Sequence, residues 1–408
     1  MDVFVARQPI FDPEYNVVAY ELLYRDGLKN FYYGSRADNV ATSILLSNAF
    51  LTFGIENLVA GKRAFINFDQ YSITQRIPEL LNPDNITIEI LETVQPDKTF
   101  INEIKKLKEK GYCVALDDYC QAYDFEEVID LVDLVKIDFF QNSHDEIEAQ
   151  VKRFKGLGKV VLAEKVETKE EFEWAKGIGF DLFQGYFFAK PAIQTKRKLN
   201  NSAIQYMKLM SELNKDEPDF KKTSDIVKLD VALTYKLLKL VNDIVKPSKK
   251  IGSIQQGIAL LGLVKFRRWL MLSVVQNMAS KETYELSKVA LFRTAFLSSI
   301  AQHSNLHEEE EALALLGSLS VLNTILEIPM EEVVEQLPLE DSLSKTLLNQ
   351  ESEYSLAYMI CLNYEKGDFD HIEDDIEKIG YNISDLKTDY VAAIKWAEET
   401  YNQLNLFN

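Results

Sequence analysis

The 408-residue sequence carries 45 Lys and Arg against 64 Asp and Glu, a formal net charge of −19 with a pI near 4.8. That balance argues against a dedicated nucleic-acid binder, whose affinity would come from a basic face that neutralises phosphates. The 47% hydrophobic and 11% aromatic content argues equally against a disordered acidic chain. Length favours two domains. Cys113, Cys120 and Cys361 fall in no disulfide or zinc-ligand spacing, which predicts a reducing compartment. With no N-terminal signal pattern and no apolar stretch of spanning length, a cytoplasmic protein without a membrane partner is expected.

In chain order, the first half alternates short β-branched runs with helical periods. After an initial Val3–Ala6 run that turns back through Pro9 and Pro13, strands are predicted at Val17–Leu23, Ala64–Phe68, Ile86–Leu91, Cys113–Leu116, Leu134–Ile137, Val160–Ala163 and Asp181–Phe183. Between them lie helical stretches at Ala37–Phe53, Phe100–Lys110, Asp124–Leu131, Ile147–Phe154 and Lys169–Lys176. Strand-then-helix repetition means parallel strands with helical crossovers, and this number of strands predicts a closed eight-stranded α/β barrel in which some helices are short or missing.

Past Pro191 the strand signals stop. The polar stretch Thr195-Lys196-Arg197-Lys198 marks the boundary, placing a barrel domain at 1–193 and an all-α domain at 194–408. Helices are predicted from Ile204–Leu213 onward, among them Ser253–Leu261, Val264–Met278, Leu286–Gln302, Glu308–Leu322, Ser355–Asn363 and Asp389–Leu404. On Val264–Met278, residues Phe266, Trp269, Leu270 and Met271 are assigned to the core.

A barrel places its chemistry at the C-terminal ends of its strands. Here every strand end carries a polar group: Glu21; Asn67; Glu89 and Glu92; Asp117 and Asp118; Lys136 and Asp138; Glu164 and Glu167; Gln184. Any one of these acids could instead cap a following helix, but capping does not explain Glu21, Asn67, Lys136 and Gln184 together. Carboxylates converging with an Asn carbonyl, without His or Cys, suit Mg²⁺ or Mn²⁺ rather than zinc. Such ions could activate water against a phosphodiester, and Lys136 could stabilise phosphate oxygens or the attacking hydroxide.

The motifs Glu21-Leu22-Leu23 with Arg25, Asn67, Ile88-Glu89-Ile90-Leu91-Glu92, Leu116-Asp117-Asp118, Val135-Lys136-Ile137-Asp138, Ala163-Glu164-Lys165-Val166-Glu167-Thr168 and Gln184-Gly185-Tyr186 occur in the order of the EAL domain, which residues 1 to about 191 resemble. The resemblance implies a modified barrel with one antiparallel strand and cyclic di-GMP phosphodiesterase chemistry. It implies metal binding by Glu21, Asn67, Glu89, Asp117 and Asp118, with Lys136, Glu164 and Asp118 catalytic. It also implies Arg25 and Gln184 toward substrate, and Glu92, Asp138 and Glu167 in support.

The sequence departs from that pattern after the paired aspartates. Where the family has Phe-Gly-Thr-Gly or close variants, it has Tyr119-Cys120-Gln121-Ala122, and both glycines of a loop implied to shape the metal site and a homodimer contact are gone. Leu22 stands for Ala and Leu91 for Thr. Lys165 replaces a Gly beside Glu164, bringing a positive charge toward the place of a cation.

Ser224-Asp225-Ile226-Val227 through Ile254-Gln255-Gln256-Gly257-Ile258-Ala259-Leu260-Leu261-Gly262 resembles the HDOD domain, a regulatory relative of metal-dependent HD phosphohydrolases. The stretch matching the relatives' metal pair is Ala314-Leu315-Leu316-Gly317-Ser318, without a ligand, so a non-catalytic module that engages a protein partner is implied. His303 and His307 are read as surface residues, because Ser304-Asn305 is a turn signal between them. His144-Asp145, after Asn142-Ser143, is read as a helix start. Between Lys236 and Arg268 there are eight Lys/Arg against one acid, Asp243, a patch read as a solvated or docking face rather than a nucleic-acid site.

Three readings follow from the residues. One is a signalling protein that binds cyclic di-GMP with weak or absent hydrolysis. Another is an active metal-dependent phosphodiesterase producing linear pGpG, and the third is a nucleotide-independent scaffold. The lost loop glycines and Lys165 favour the first.

Overall fold

The computed structural model describes residues 3–26, 55–91, 94–119, 126–185, separated stretches between 209 and 270, and then 284–326, 328–336, 339–369 and 372–405. Strands β1 (Val3–Phe11), β2 (Val17–Asp26), β3 (Arg63–Phe68), β4 (Ile86–Ile90), β5 (Cys113–Leu116), β6 (Leu134–Asp138), β7 (Val160–Glu164) and β8 (Leu182–Gln184) close into a barrel in sequence order. Strand β1 is antiparallel to both β2 and β8, and the other pairings are parallel. The eight-stranded barrel with one antiparallel strand is thus as expected, although β1 runs well past Ala6, through Pro9. Proline is tolerated there because a missing amide donor costs one bond, and Ile10 and Phe11 still pair with Gln184 and Phe183.

The crossovers are uneven. Helices Lys98–Glu109, His144–Gly156 and Lys169–Ile178 are full-length and bury one apolar face each. Between β3 and β4 there is only Gln70–Thr74 and a 3₁₀ turn at Ile77–Leu80, and between β5 and β6 the described helix is Glu126–Ile129. The predicted helix Ala37–Phe53 lies outside the described residues. The pair His144-Asp145 starts a helix, as read: Ser143 caps it in a reciprocal box with Glu146, and the imidazole stacks on Trp174 with centroids 4.2 Å apart.

The chain separates into two compact units, Met1–Lys190 with Met359–Val391, and Pro191–Tyr358 with Ala392–Asn408. The late segment Met359–Val391 groups with the barrel, which a single cut at 193/194 does not describe. Within that unit Tyr364 and Phe369 pack on Phe4 of β1, and the Tyr390 hydroxyl accepts from the Arg7 amide at 3.1 Å.

In the second unit every described element is helical, including Phe220–Lys228, Ile254–Leu261, Tyr284–Gln302, Glu310–Leu319, Leu322–Leu326, Met330–Gln336 and Asp341–Leu347. Phe266, Trp269 and Leu270 are buried in one apolar cluster with Ile254, Ile258 and Leu261, while Met271 lies outside the described residues. His303 and His307 are both exposed around a turn rather than on one helix. Of the basic patch, Lys265 is exposed and the other seven Lys and Arg lie outside the described residues. No described helix is long and apolar enough to cross a membrane.

Candidate active site

The barrel interior explains why polar residues meet at one end. An apolar layer of Ile10, Ala19, Phe65, Ala115, Leu134 and Leu162, joined by Leu182, fills the barrel. Side chains two residues apart on a strand share a face. One step of two residues toward the mouth from each of those positions gives Gln8, Glu21, Asn67, Asp117, Lys136, Glu164 and Gln184. Asn67 pairs with Glu89 in register on β4, and Glu89 with Ala115 on β5. The ring is therefore a consequence of strand register.

Lys136 sits at its centre, its side chain 1% exposed. Its ammonium lies 2.7 Å from Asp117 Oδ1, 2.7 Å from Glu164 Oε1, 2.8 Å from Glu89 Oε1 and 3.4 Å from Glu21 Oε2. Glu21 also accepts from Asn67 Nδ2 at 3.0 Å and from Gln184 Nε2 at 2.5 Å. Four carboxylates around one ammonium leave a local charge of −3 when all are ionised. Burial alone would lower the Lys136 pKa, but Asp117, Glu164, Glu21 and Glu89 together outweigh it and hold it well above the ordinary lysine value. Burial raises Glu89 and Glu164 well above the usual carboxylate range; Lys136 opposes that rise, and Glu21 and Asp117 add to it in both. Glu89 and Glu164 are therefore costly to hold as buried carboxylates, a cost that a further cation would offset.

Several acceptors in this cluster are buried without a hydrogen-bond donor: Asn67 Oδ1, Glu89 Oε2, Glu164 Oε2 and Gln184 Oε1. Such orphaned oxygens are costly unless something absent from the protein satisfies them. Among the described residues, Asp117, Asp118 and Glu164 bring ligand oxygens within 4.8 Å of one another. A hard divalent cation fits this all-oxygen set. The trio overlaps the sequence assignment at Asp117 and Asp118 and adds Glu164; Glu21 and Glu89 contact the Lys136 ammonium, and Asn67 reaches the cluster through Glu21.

Asp138 and Lys165 form an ion pair at the rim, beside Asp118. Asp138, 1% exposed, accepts from the Phe140 amide at 2.6 Å and the Gln141 amide at 3.2 Å. Its other oxygen pairs with the Lys165 ammonium, which also lies 3.5 Å from Asp118 Oδ1. Burial would lower Lys165, but the Asp138 hydrogen bond and the charges of Asp118, Asp138 and Glu164 keep it raised. Asp118 and Lys165 both adopt left-handed backbone, φ +42° and +58°, a conformation natural for glycine and strained for other residues.

Tyr119 anchors the chain after Asp118. Its amide donates to the Lys136 carbonyl at 3.0 Å and its hydroxyl accepts from Arg153 at 3.1 Å. Glu167 is half-buried, its amide donating to the Glu171 carboxylate at 2.7 Å. Gly185 has φ +147°, and a Cβ there would meet the Val166 carbonyl oxygen at 2.0 Å, so the glycine after Gln184 is required by close backbone approach. Arg25 lies on β2 with its side chain outside the described residues; Glu92, Cys120, Gln121 and Ala122 are also outside them. The sequence reading missed Gln8, whose Oε1 accepts from Gln184 Nε2 at 3.0 Å. No local signal marked it, because Pro9 interrupts the run that the sequence reading ends at Ala6.

Residues 66–191 match the EAL domain family and residues 202–324 match the HDOD domain family. The YuxH protein of Bacillus subtilis is 36% identical over 87% of this chain and 88% of its own. Cyclic di-GMP phosphodiesterase CdgJ of Vibrio cholerae is 34% identical over 97% of this chain and 92% of its own. A calcium and cyclic di-GMP complex of Klebsiella pneumoniae BlrP1 aligns with 47% of this chain and 56% of its own, at 24% identity and a TM-score of 0.40. Both domain matches fall in order on one chain, and two relatives share nearly its whole length, so the chain belongs to the EAL–HDOD family of two-domain signalling proteins.

Proposed function

We propose that the barrel mouth binds cyclic di-GMP with Mg²⁺ or Mn²⁺ and hydrolyses it slowly to the linear dinucleotide, while the helical unit is a non-catalytic module for a protein partner. The observation that carries this reading is the set of buried acceptor oxygens without donors around Lys136. Asp117, Asp118 and Glu164 would hold the cation, with Glu21, Asn67 and Glu89 as the further oxygen ligands. When bound, a divalent ion supplies Lewis-acid charge that neutralises a phosphodiester and favours ionisation of water.

The remaining roles belong to the protein. Glu21 fixes Asn67 and Gln184 by accepting from both, and Gln8 holds the Gln184 carboxamide from the opposite side. The Lys136 ammonium, buried and raised in pKa, offers positive charge to phosphate oxygens and does not serve as a base. Asp138 and Glu167 brace the rim, and the family resemblance gives Arg25 a role toward substrate and Glu92 a supporting one. In the hydrolysis a water oxygen bonds to phosphorus, one P–O(ribose) bond breaks, and the leaving ribose oxygen takes a proton. Lys165 attenuates this chemistry, because its ammonium, anchored on Asp138, also lies beside the Asp118 oxygen that a cation needs.

Full turnover is a second reading, supported by 34% identity to Cyclic di-GMP phosphodiesterase CdgJ across 92% of that protein. Calorimetric titration of the whole chain with cyclic di-GMP, with and without Mn²⁺, together with chromatography for linear dinucleotide, separates the two. Metal-dependent binding with slow product, both lost in Glu21→Ala, is expected. Turnover within tenfold of an active relative favours the second reading, and no binding under any condition leaves only a scaffold.

A further inference from the structure

The helical unit contains a cavity of about 550 Å³, a size that admits a small organic molecule. Its walls come from helices Tyr284–Gln302 and Glu310–Leu319, the start of Asp341–Leu347, and the part of Ile383–Asn405 beyond Ala392. Close approach of the first two helices leaves this space with small side chains at its base. Gly317 lies against the Arg293–Thr294 backbone, where a Cβ would come within 2.5 Å, and Thr294 and Ser318 share a hydroxyl hydrogen bond of 2.8 Å.

The chemistry of the lining is one-sided. Glu310, Glu311 and Glu340 contribute carboxylates, and the described lining includes no Lys, Arg or His. Ser298 donates to Glu310 Oε1 at 2.7 Å, which holds that carboxylate against the cavity wall. The indole of Trp396, 40% exposed, stands at the same cavity with Leu315 and Leu343. Among the described residues a tight carboxylate trio occurs only at the barrel mouth, so these three acids spread negative potential over the pocket and do not cage a metal ion. A negative field beside an aromatic face and apolar surface is the environment that recognises an organic ammonium.

We infer that this cavity binds a small organic cation, an amine bearing an apolar group, whose ammonium faces Glu311 and Glu340 and whose body packs on Trp396 and Leu343. The site is separate from the barrel mouth and independent of the reading given to it. It gives the helical unit a ligand of its own in place of the metal chemistry that its Ala314-Leu315-Leu316-Gly317-Ser318 stretch lacks.

The test is calorimetric titration of the full chain with benzyltrimethylammonium, against benzyl alcohol and phenylacetate as neutral and anionic counterparts of similar size. The cation is expected to bind about tenfold tighter than the alcohol, with phenylacetate weaker still and with cation affinity falling as salt is raised. Glu311→Gln with Glu340→Gln changes exposed side chains and should weaken the cation about fivefold or more while leaving the alcohol unchanged. Trp396→Leu should weaken it about threefold. No cation binding at millimolar concentration, equal affinity for all three probes, or insensitivity to both variants in folded protein would each overturn the inference.

Discussion

Lys165→Gly isolates what the replacement of glycine does to the candidate active site. The ammonium lies 3.5 Å from Asp118 Oδ1, where a full pair near a protein surface has about 5 kcal/mol of unscreened attraction. The side chain is 44% exposed, so solvent reduces the effective contribution to about 1 kcal/mol. A cation competing for Asp118 must overcome that attraction, and its removal should tighten Mn²⁺ binding about fivefold, with turnover of cyclic di-GMP rising at subsaturating metal. Stability should change little. Loss of the pairs with Asp118 and with buried Asp138, whose other oxygen keeps the Phe140 and Gln141 amides, is offset by relief of left-handed backbone at φ +58°, about 1 kcal/mol in the opposite direction. The assay is product formation against Mn²⁺ concentration, with thermal unfolding measured on the same samples. Lys165→Met is the control, since it removes the charge but keeps the Cβ, and should reproduce the metal effect without the gain in backbone freedom. A folded Lys165→Gly protein with unchanged Mn²⁺ half-saturation and unchanged turnover would refute the assignment of Lys165 as the attenuating cation.

Lys136→Met should destabilise the metal-free protein by about 3 kcal/mol or more, because it leaves buried Glu89 and its neighbours without their cation, and added Mn²⁺ should recover part of the loss in denaturant titrations. Gly317→Ala should push apart the helices Tyr284–Gln302 and Glu310–Leu319, costing about 1–3 kcal/mol, visible as faster amide exchange in both helices. Hydrogen bonds from Lys215 and then Lys222 hold Glu212 down at about 2, against 4.5 ordinarily. Its ionised form therefore favours the folded state above pH 4.5 and loses that contribution as pH falls toward 2. Glu212→Gln should narrow its stability deficit over that window, read as the difference between urea midpoints of the two proteins.

The fold was legible where hydrophobic period decided it. The predicted strands fall within a few residues of those observed, because each buried β-branched run can form only a short extended element before its polar end. What escaped was set by contacts distant in sequence. The extension of β1 to Phe11 depends on partners at Phe183 and Gln184, which no local pattern around Pro9 reveals. The grouping of Met359–Val391 with the barrel rests on aromatic packing of Tyr364 and Phe369 against Phe4. In the site, the residue types, their strand-end positions and the convergence of carboxylates were legible, but the left-handed backbone at Asp118 and Lys165 was not, a conformation neither residue type announces.

The two lysines at the mouth show why the acidic ring is tolerated and where it can change. Lys136 is wholly buried, raised in pKa and bonded on several sides, so withdrawing it would expose its carboxylate partners to one another at a cost no single contact could repay. Lys165 is nearly half exposed and joins the rim through Asp118 and Asp138 alone among its ion pairs. Its long stem can carry the ammonium into solvent when a divalent ion takes Asp118, whereas Lys136 has nowhere comparable to go. The structural charge and the displaceable charge therefore reside on different residues, and metal affinity can be adjusted at position 165 without dismantling the carboxylate cluster that defines the site.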